Sequence, residues 1–282
     1  MNFRIAAFAD EADGQLANQI EAMHRNQIPL LEIRNVNGTN VADLTPAQAR
    51  EIRRTLDDAG IAVWSIGSPY GKTDLGGDLD AHLESFRRGL ETAQILGAKH
   101  IRMFSFYVPE EQADARREEV LEHIGRMLRI AEHTDLLLCH ENEKGIYGST
   151  AARCKVLHEA FPQMKAVFDP ANYVQCGQDT IEAWDLIAPY VEYMHIKDAL
   201  KSGFVVPAGK GAGHLPYLLS HYRGEVLTVE PHLTVFDGFE KLECGASPAS
   251  PNRSADDPAL RYRYPSGQAA FDAAVSALKE LL

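Results

Sequence analysis

The sequence contains no run of apolar residues long enough to cross a bilayer, and its start, Met1-Asn2-Phe3-Arg4, lacks the pattern of a signal peptide. We therefore expect a cytoplasmic protein without a membrane partner. Cysteine is scarce and no CxxC pair occurs, which argues against a disulfide framework and against a thiolate zinc site. We expect the cysteines to be ordinary small apolar residues. They are Cys139, Cys154, Cys176 and Cys244.

Positive charge is in the minority, because 28 lysines and arginines face 40 aspartates and glutamates, for a formal net charge of −12. Nucleic acids and anionic lipid surfaces both require a positive surface, so this balance argues against either as the main partner. With 45% hydrophobic and 24% charged residues, the composition is typical of a globular protein. We expect a small-molecule partner and no nucleic acid.

Short apolar runs alternate with longer amphipathic stretches along the chain. The apolar runs predict strands at Ile5–Ala9, Leu30–Ile33, Ala62–Ile66, His100–Phe104, Leu136–His140, Ala166–Phe168, Val191–Ile196 and Val226–Val229. The amphipathic stretches predict helices at Leu16–Gln27, Pro46–Ala59, Leu79–Leu96, Glu111–His133, Thr150–Ala160, Thr180–Ala188, Leu215–Tyr222 and Gln268–Leu281. Strands that alternate with helices pair in parallel, and eight such units in about 250 residues indicate a closed (β/α)8 barrel. We therefore predict an α/β fold, a TIM barrel that forms a single domain over residues 1–282.

The main alternative is a doubly wound open sheet, which more often carries a glycine-rich phosphate-binding turn after its first strand. The segment Phe8-Ala9-Asp10-Glu11 contains no glycine, which favours the barrel. Boundary signals agree with the predicted helices. Thr45 and Pro46 suit a helix start, and Gly60 and Gly97 suit helix ends.

One segment departs from the alternation between strands and helices. Gly245–Pro258, with the sequence GASPASPNRSADDP, is rich in Ser, Pro, Ala and Asp and lies between the eighth strand and the last helix. Because it is too polar for the core, we expect a long loop over about residues 233–265. A lid and a simple disordered insertion are equally compatible with this composition.

Polar side chains follow the ends of strands five to eight. The segments are His140-Glu141-Asn142-Glu143, Phe168-Asp169-Pro170-Ala171-Asn172, His195-Ile196-Lys197-Asp198 and Val229-Glu230-Pro231-His232. In a TIM barrel the carboxyl ends of the strands form the functional face, so we expect these groups to converge. Three carboxylates on one rim repel each other unless a cation holds them, and a Glu, Asp, His, Glu set suits Mn²⁺, Mg²⁺ or Co²⁺ better than Zn²⁺. The alternative is a set of solvated strand-end groups paired with Lys144, Lys197 or Lys210.

The order of these motifs resembles the xylose-isomerase-like TIM-barrel superfamily, which includes ketose 3-epimerases, inositol-catabolic isomerases and dehydratases, hydroxypyruvate isomerases and endonuclease IV. The resemblance spans nearly the whole chain. Its segments are Phe8-Ala9-Asp10-Glu11, Glu32-Ile33-Arg34, Gly67-Ser68-Pro69-Tyr70-Gly71-Lys72, Glu141-Asn142, Asp169-Pro170-Ala171-Asn172, His195-Ile196-Lys197-Asp198 and Gly209-Lys210-Gly211-Ala212-Gly213. Residue by residue, it implies that Glu141, Asp169, His195 and Glu230 bind one divalent metal ion. Glu143 is the alternative to Glu141, because residues two apart on a strand face the same way.

The resemblance implies an isomerase or epimerase that acts on a small keto-sugar or cyclitol through an enediolate. A divalent cation that chelates such a substrate polarises the carbonyl and acidifies the neighbouring C–H group. In the family's epimerases the two metal-bound glutamates remove and return the proton, and the matching residues here are Glu141 and Glu230. Two alternatives stay open: an inosose-type dehydratase that uses the same proton removal, and a carbohydrate-binding barrel without catalysis.

Further residues near the predicted rim are expected to contact the substrate: Glu32, Arg34, Lys72, Phe104, Asn172, Lys197, His214 and His232. Aromatic side chains pack against sugar C–H faces, and polar side chains bind hydroxyl or phosphate oxygens. Asn172 stands where the epimerases and the endonuclease have a histidine. Because an amide is a poorer metal ligand, this departure argues against a multi-metal nuclease. Barrels of this family often form dimers or tetramers, so a homo-oligomer is an expectation for which the sequence identifies no interface.

Overall fold

The computed structural model describes residues 3–234 and 262–282, and within them eight parallel strands close into a barrel. The strands are β1 Arg4–Ala7, β2 Leu30–Ile33, β3 Ala62–Gly67, β4 His100–Met103, β5 Leu137–Glu141, β6 Lys165–Phe168, β7 Val191–Ile196 and β8 Val226–Val229. Each strand pairs with its neighbours in chain order, and β8 closes the barrel against β1, where Ala7 pairs with Val229. The predicted (β/α)8 barrel is confirmed, and all eight predicted strands are present.

Helices alternate with the strands of the barrel. They are α1 Leu16–Arg25, α2 Pro46–Asp58, α3 Leu79–Leu96, α4 Arg117–Ala131, α5 Ala151–Ala160, α6 Pro170–Gln175, α7 Thr180–Ile187, α8 Leu215–His221 and α9 Gly267–Lys279. The helix predicted from Glu111 begins only at Arg117, because Glu110–Gln112 forms a separate 3-10 turn. Helix α6 is absent from the predicted set. It has 6 residues, which is too short for a periodic pattern, and the Asp169 side chain caps it.

The predicted boundary signals act at the helix ends. The Thr45 side chain accepts a hydrogen bond from the backbone of Gln48, whose own side chain accepts one from the backbone of Thr45, and Pro46 occupies the first turn of α2. Gly60 and Gly97 have φ angles of 69° and 76°. This left-handed conformation favours glycine, and it lets each helix end so that the chain turns into the next strand.

The core has two layers, which the barrel strands separate. A large apolar cluster fills the space between strands and helices, and a small one fills the barrel interior. Side chains alternate along a strand, so Cys139 and Glu141 of β5 share the inner face while His140 points outward. Cys139 and Cys154 are buried, whereas Cys244 lies outside the described residues. The alternation therefore carries Glu141 to the carboxyl-end mouth of the barrel.

Two short antiparallel hairpins follow β2 and β7. The first pairs Asn35–Val36 with Thr39–Asn40, and the second pairs Asp198–Ala199 with Val205–Val206. The predicted segment 245–258 lies outside the described residues, as does most of the predicted loop at 233–265. Among the helices that the structure describes, none combines the length and the apolar character of a membrane span.

Candidate active site

Four side chains from consecutive strands meet at the carboxyl-end mouth of the barrel. Glu141 ends β5, Asp169 follows β6, His195 lies near the end of β7, and Glu230 follows β8. One ligand atom of each lies within 4.8 Å of those of the other three, and all four residues are buried. Three carboxylates and one imidazole in this arrangement can hold a divalent cation.

The carboxylate of Glu141 is held by a guanidinium group on one side and by a side-chain amide on the other. Its Oε2 accepts a hydrogen bond of 2.6 Å from Arg102 Nη1. Its Oε1 accepts one of 3.2 Å from Asn172 Nδ2 and lies 3.1 Å from His195 Nδ1. Burial by itself raises the pKa of Glu141, but His195 and Arg102 outweigh it and hold that pKa well below its ordinary value. Glu141 is therefore ionised.

His195 has a carboxylate at each ring nitrogen. Nδ1 lies 3.1 Å from Glu141 Oε1, and Nε2 lies 3.2 Å from Glu32 Oε2. Tyr193 donates a hydrogen bond of 2.8 Å to the other oxygen of Glu32. Burial lowers the pKa of His195, but Glu141 and Glu32 outweigh it and hold the pKa well above its ordinary value. Glu32 is fully buried, and its contact with Nε2 can fix the orientation of the His195 ring. Its predicted contact with substrate stays a prediction.

Glu230 lies between a guanidinium and an ammonium. Its Oε1 accepts a hydrogen bond of 3.3 Å from Arg34 Nη1, and its Oε2 accepts one of 2.9 Å from Lys197 Nζ. Arg34 also contacts Asp10 at 2.8 Å and Glu11 at 2.9 Å. Burial raises the pKa of Glu11 to about 8, although Arg34 opposes this shift. Arg34 therefore ties the loop after β1 to the glutamate after β8.

Asp169 shares Lys197 with Glu230. Lys197 Nζ lies 2.9 Å from Asp169 Oδ2, and the other oxygen of Asp169 accepts a hydrogen bond of 2.9 Å from the backbone N–H of Asn172. Burial raises the pKa of Asp169 to about 7, against the effect of Lys197. Burial also lowers the pKa of Lys197, but Asp169 and Glu230 outweigh it and hold that pKa well above its ordinary value. One of the lysine pairings considered from the sequence is thus present within the group of four.

Two asparagines fix the backbone around the acidic residues. The side chain of Asn142 donates to the carbonyl of Asp169 and accepts from its N–H, both at 2.9 Å. The side chain of Asn172 bridges Glu141 and the carbonyl of Asn142. The amides therefore hold the ends of β5 and β6 in register, which gives the Glu-Asn and Asp-Pro-Ala-Asn motifs a structural role.

Glu143 lies beyond the end of β5 and is not one of the four convergent residues. Its Oε2 accepts a hydrogen bond of 2.9 Å from Lys72 Nζ. Lys72 Nζ also lies 4.5 Å from the ring centroid of Phe104, a cation–π distance. Of the two glutamates considered for the ligand position, the structure therefore brings Glu141 to the group.

The two histidines that were predicted to contact substrate lie in different places. His232 Nδ1 is 3.6 Å from Glu230 Oε1, and the backbone N–H of His232 donates to Glu11. Burial lowers the pKa of His232 well below its ordinary value. His214 is exposed at the start of α8, and its Nδ1 pairs with Thr180 Oγ1 at 2.9 Å. His214 thus contacts helix α7 from the start of α8, and its predicted contact with substrate stays a prediction.

Sequence reasoning missed Arg102, and it assigned no role to Asp10 or Glu11. Arg102 lies in the middle of β4, in a strand that reads as an apolar run, and it is buried. A charged residue inside a buried strand was the available signal, because such residues are almost never buried without a partner. Its partner, Glu141, is distant in sequence and becomes its neighbour only through the barrel.

The chain is similar to known proteins over most of its length. A family model described as a xylose isomerase-like TIM barrel matches residues 18–221. Similar solved structures include the probable 3-DHS dehydratase AsbF from Bacillus anthracis, with 13% identity, a TM-score of 0.71 and 99% of each chain covered. The IolI protein, solved with a bound zinc atom, has 14% identity and a TM-score of 0.73, with 99% of this chain and 97% of that chain covered.

An L-ribulose 3-epimerase is also similar, with 15% identity and a TM-score of 0.70, covering 100% of this chain and 95% of the epimerase. At these identities the likeness shows a shared fold. No curated protein sequence matches the chain significantly.

Proposed function

The chain belongs to the xylose isomerase-like TIM-barrel family, and from this premise we propose that it is a metal-dependent enzyme acting on a small sugar-like ketone. The proposed reaction is an isomerisation or epimerisation, in which a proton beside the carbonyl is removed and then returned through an enediolate. The main observation in support is the close approach of Glu141, Asp169, His195 and Glu230, with one ligand atom of each within 4.8 Å of the others.

The donor set suits a hard or borderline divalent cation such as Mn²⁺, Mg²⁺ or Co²⁺, since it offers oxygens and one imidazole but no thiolate. Glu141, Asp169, His195 and Glu230 would hold it. When bound, the cation polarises the substrate carbonyl and stabilises the negative charge that develops on its oxygen. Glu32 would support the arrangement, because it contacts the second nitrogen of His195 and so fixes the orientation of the ring.

Glu141 and Glu230 are the proposed pair for proton transfer. They approach His195 Nδ1 to 3.1 and 3.4 Å, and they belong to strands on different parts of the barrel wall. Burial alone would raise the pKa of Glu230, but Lys197 and other nearby cationic groups hold it well below its ordinary value. Both glutamates are therefore ionised at rest. Either can accept the proton from carbon, and the other can return a proton to the opposite face once it has taken one up from solvent.

Several side chains near the mouth are proposed to bind the substrate. The ring of Phe104 offers an apolar face, and Lys72 lies against it. Asn172 and Lys197 border the four proposed ligands directly. An aromatic face beside several polar groups suits a small polyhydroxyl compound. Cytoplasmic location and a homo-oligomeric state remain predictions.

The proposal is tested by metal analysis of the purified protein, followed by incubation with ketoses and keto-inositols in D₂O. We expect one divalent ion per chain and metal-dependent deuterium uptake beside a carbonyl. Glu141→Gln should abolish the uptake, whereas Glu192→Gln, at the start of β7 and paired with His100, should retain it. Absence of uptake with every ligand that binds would contradict catalysis and support a binding barrel. Uptake accompanied by an unsaturated ketone in the ultraviolet would assign a dehydratase instead.

A further inference from the structure

The ammonium of Lys197 lies between two of the four proposed ligands. Its Nζ is 2.9 Å from Asp169 Oδ2 and 2.9 Å from Glu230 Oε2, and its side chain is only 6% exposed. Lys197 directly follows β7, the strand that carries His195, so the barrel fixes the point from which its side chain starts. A buried positive charge therefore contacts half of the proposed ligand set.

The two oxygens that Lys197 contacts are the ones available to a metal. Glu230 Oε1 faces Arg34, whereas Oε2 lies 3.4 Å from His195 Nδ1. Asp169 Oδ1 caps helix α6, which leaves Oδ2 for a cation. A divalent ion held by the four residues would need these same two oxygens, and a close approach of the ion and the ammonium is opposed by their like charges.

The two guanidinium groups near the mouth are placed differently. Arg102 contacts Glu141 Oε2, while Oε1 is the oxygen close to His195 Nδ1. Arg34 contacts Glu230 Oε1 and is held by Asp10 and Glu11 as well. Each guanidinium group contacts the glutamate oxygen that faces away from His195. Both groups can therefore stay in place when the oxygens that face His195 bind a metal.

We infer that Lys197 and a divalent cation exchange at one position of the mouth. Without metal, the ammonium neutralises Asp169 and Glu230 and keeps the buried carboxylates together. When metal enters, the ammonium leaves both oxygens and swings away from the four ligands, which the flexible four-carbon stem of lysine permits. Breaking two charge-assisted contacts offsets part of the metal-binding free energy. Lys197 thus sets how tightly the metal is held, an inference that rests on the metal centre proposed above.

The test compares Mn²⁺ binding by the full chain and by Lys197→Met, which keeps the length of the side chain and removes its charge. We expect the variant to bind Mn²⁺ at least about tenfold more tightly in competition with a chelator, because no ammonium must be displaced. Without metal its melting temperature should be lower than that of the wild type, and Mn²⁺ should raise it by more. If Lys197→Met folds only with metal present, Lys197→Gln is measured in the same way.

Lys165→Met is the matched control, since Lys165 begins β6 at the opposite end of the barrel from the four proposed ligands. We expect its Mn²⁺ affinity to stay within about threefold of the wild type, because the substitution removes a positive charge at a position remote from the mouth. Equal or weaker Mn²⁺ binding by Lys197→Met, beside a wild type that binds one ion, would overturn the exchange alone. A wild type and a Lys197→Met variant that both fail to bind Mn²⁺ would overturn the exchange and the proposed metal centre together.

Discussion

Two buried histidines on the barrel strands have opposite surroundings. His195 of β7 points into the mouth, where its Nδ1 lies 3.1 Å from Glu141 and its Nε2 lies 3.2 Å from Glu32. His140 of β5 points outward into the layer between strands and helices, where its Nε2 lies 3.0 Å from the hydroxyl of Ser105. Both rings are almost completely buried, so burial does not distinguish them.

The charge of the neighbours makes the difference. Burial lowers the pKa of His140 to about 3. Burial also disfavours the charged form of His195, but Glu141 and Glu32 outweigh it and hold the pKa well above its ordinary value. The mouth keeps buried charges because each has a partner, whereas the outer layer favours the neutral ring. Among the residues that the structure describes, the groups that could hold a metal ion accordingly lie in the mouth.

The largest expected effect comes from removing one charge from the mouth. Glu230→Gln keeps an oxygen that can bind metal but loses the group that accepts a proton, so turnover of an identified substrate should fall at least about a thousandfold. Metal affinity should fall much less. Steady-state kinetics and Mn²⁺ titration measure the two effects. Glu192→Gln, the same substitution at the amino end of the barrel, should leave both unchanged. Normal turnover by Glu230→Gln would show that the two-glutamate mechanism is wrong.

A smaller effect is expected when a charge in the mouth loses its partner. Arg102→Met leaves the buried carboxylate of Glu141 without the guanidinium that lies 2.6 Å away. Without metal, this should lower the free energy of unfolding by about 3 kcal/mol. Urea unfolding in the presence of a chelator measures the loss.

Adding Glu141→Gln to Arg102→Met should restore part of that stability, because no unpaired charge then remains. If Arg102→Met unfolds at the same urea concentration as the wild type, pairing does not maintain the charges of the mouth. The proposed contrast with the outer layer would then lose its physical basis.

The barrel could be predicted because periodicity and order are local properties of the chain. Each strand is a short apolar run followed by an amphipathic stretch, and Gly60 and Gly97 mark two of the turns between them. Helix α6 could not be found in this way, since its 6 residues are held by the cap from Asp169 and not by a periodic apolar face. The hairpin strands have 2 residues each and carry no pattern at all.

The candidate ligands could be predicted because strand ends of a parallel barrel meet at one face. The partners of those ligands could not, because they depend on which side chains the closed barrel brings together. Arg102 reaches Glu141 from a neighbouring strand, and Glu32 reaches His195 across the interior. Position near the rim also did not reveal the contact between the exposed side chain of His214 and Thr180. Contacts between residues that are far apart in the sequence are a property of the closed barrel. The position of a residue at a strand end does not specify them.

The smallest expected effect tests the outer layer. His158 of α5 is buried there, with Nδ1 3.3 Å from the carbonyl of Met164 and its ring stacked on Tyr190. Burial lowers its pKa to about 4, whereas in the unfolded chain the pKa is about 6.5. Between these values the unfolded state binds a proton that the folded state does not, so stability is lost as the pH falls from about 6.5 to about 4.

His158→Phe keeps a ring stacked on Tyr190 and removes this titration. The lost hydrogen bond to Met164 lowers stability equally at both pH values and therefore cancels in the comparison. Between pH 7 and pH 5, the wild type should lose about 2 kcal/mol more of its free energy of unfolding than the variant does, as measured by urea unfolding. If both proteins lose the same amount, the outer layer accepts a charged imidazole at little cost. Burial would then not enforce neutrality outside the mouth, and partner charges could not be what distinguishes the two layers.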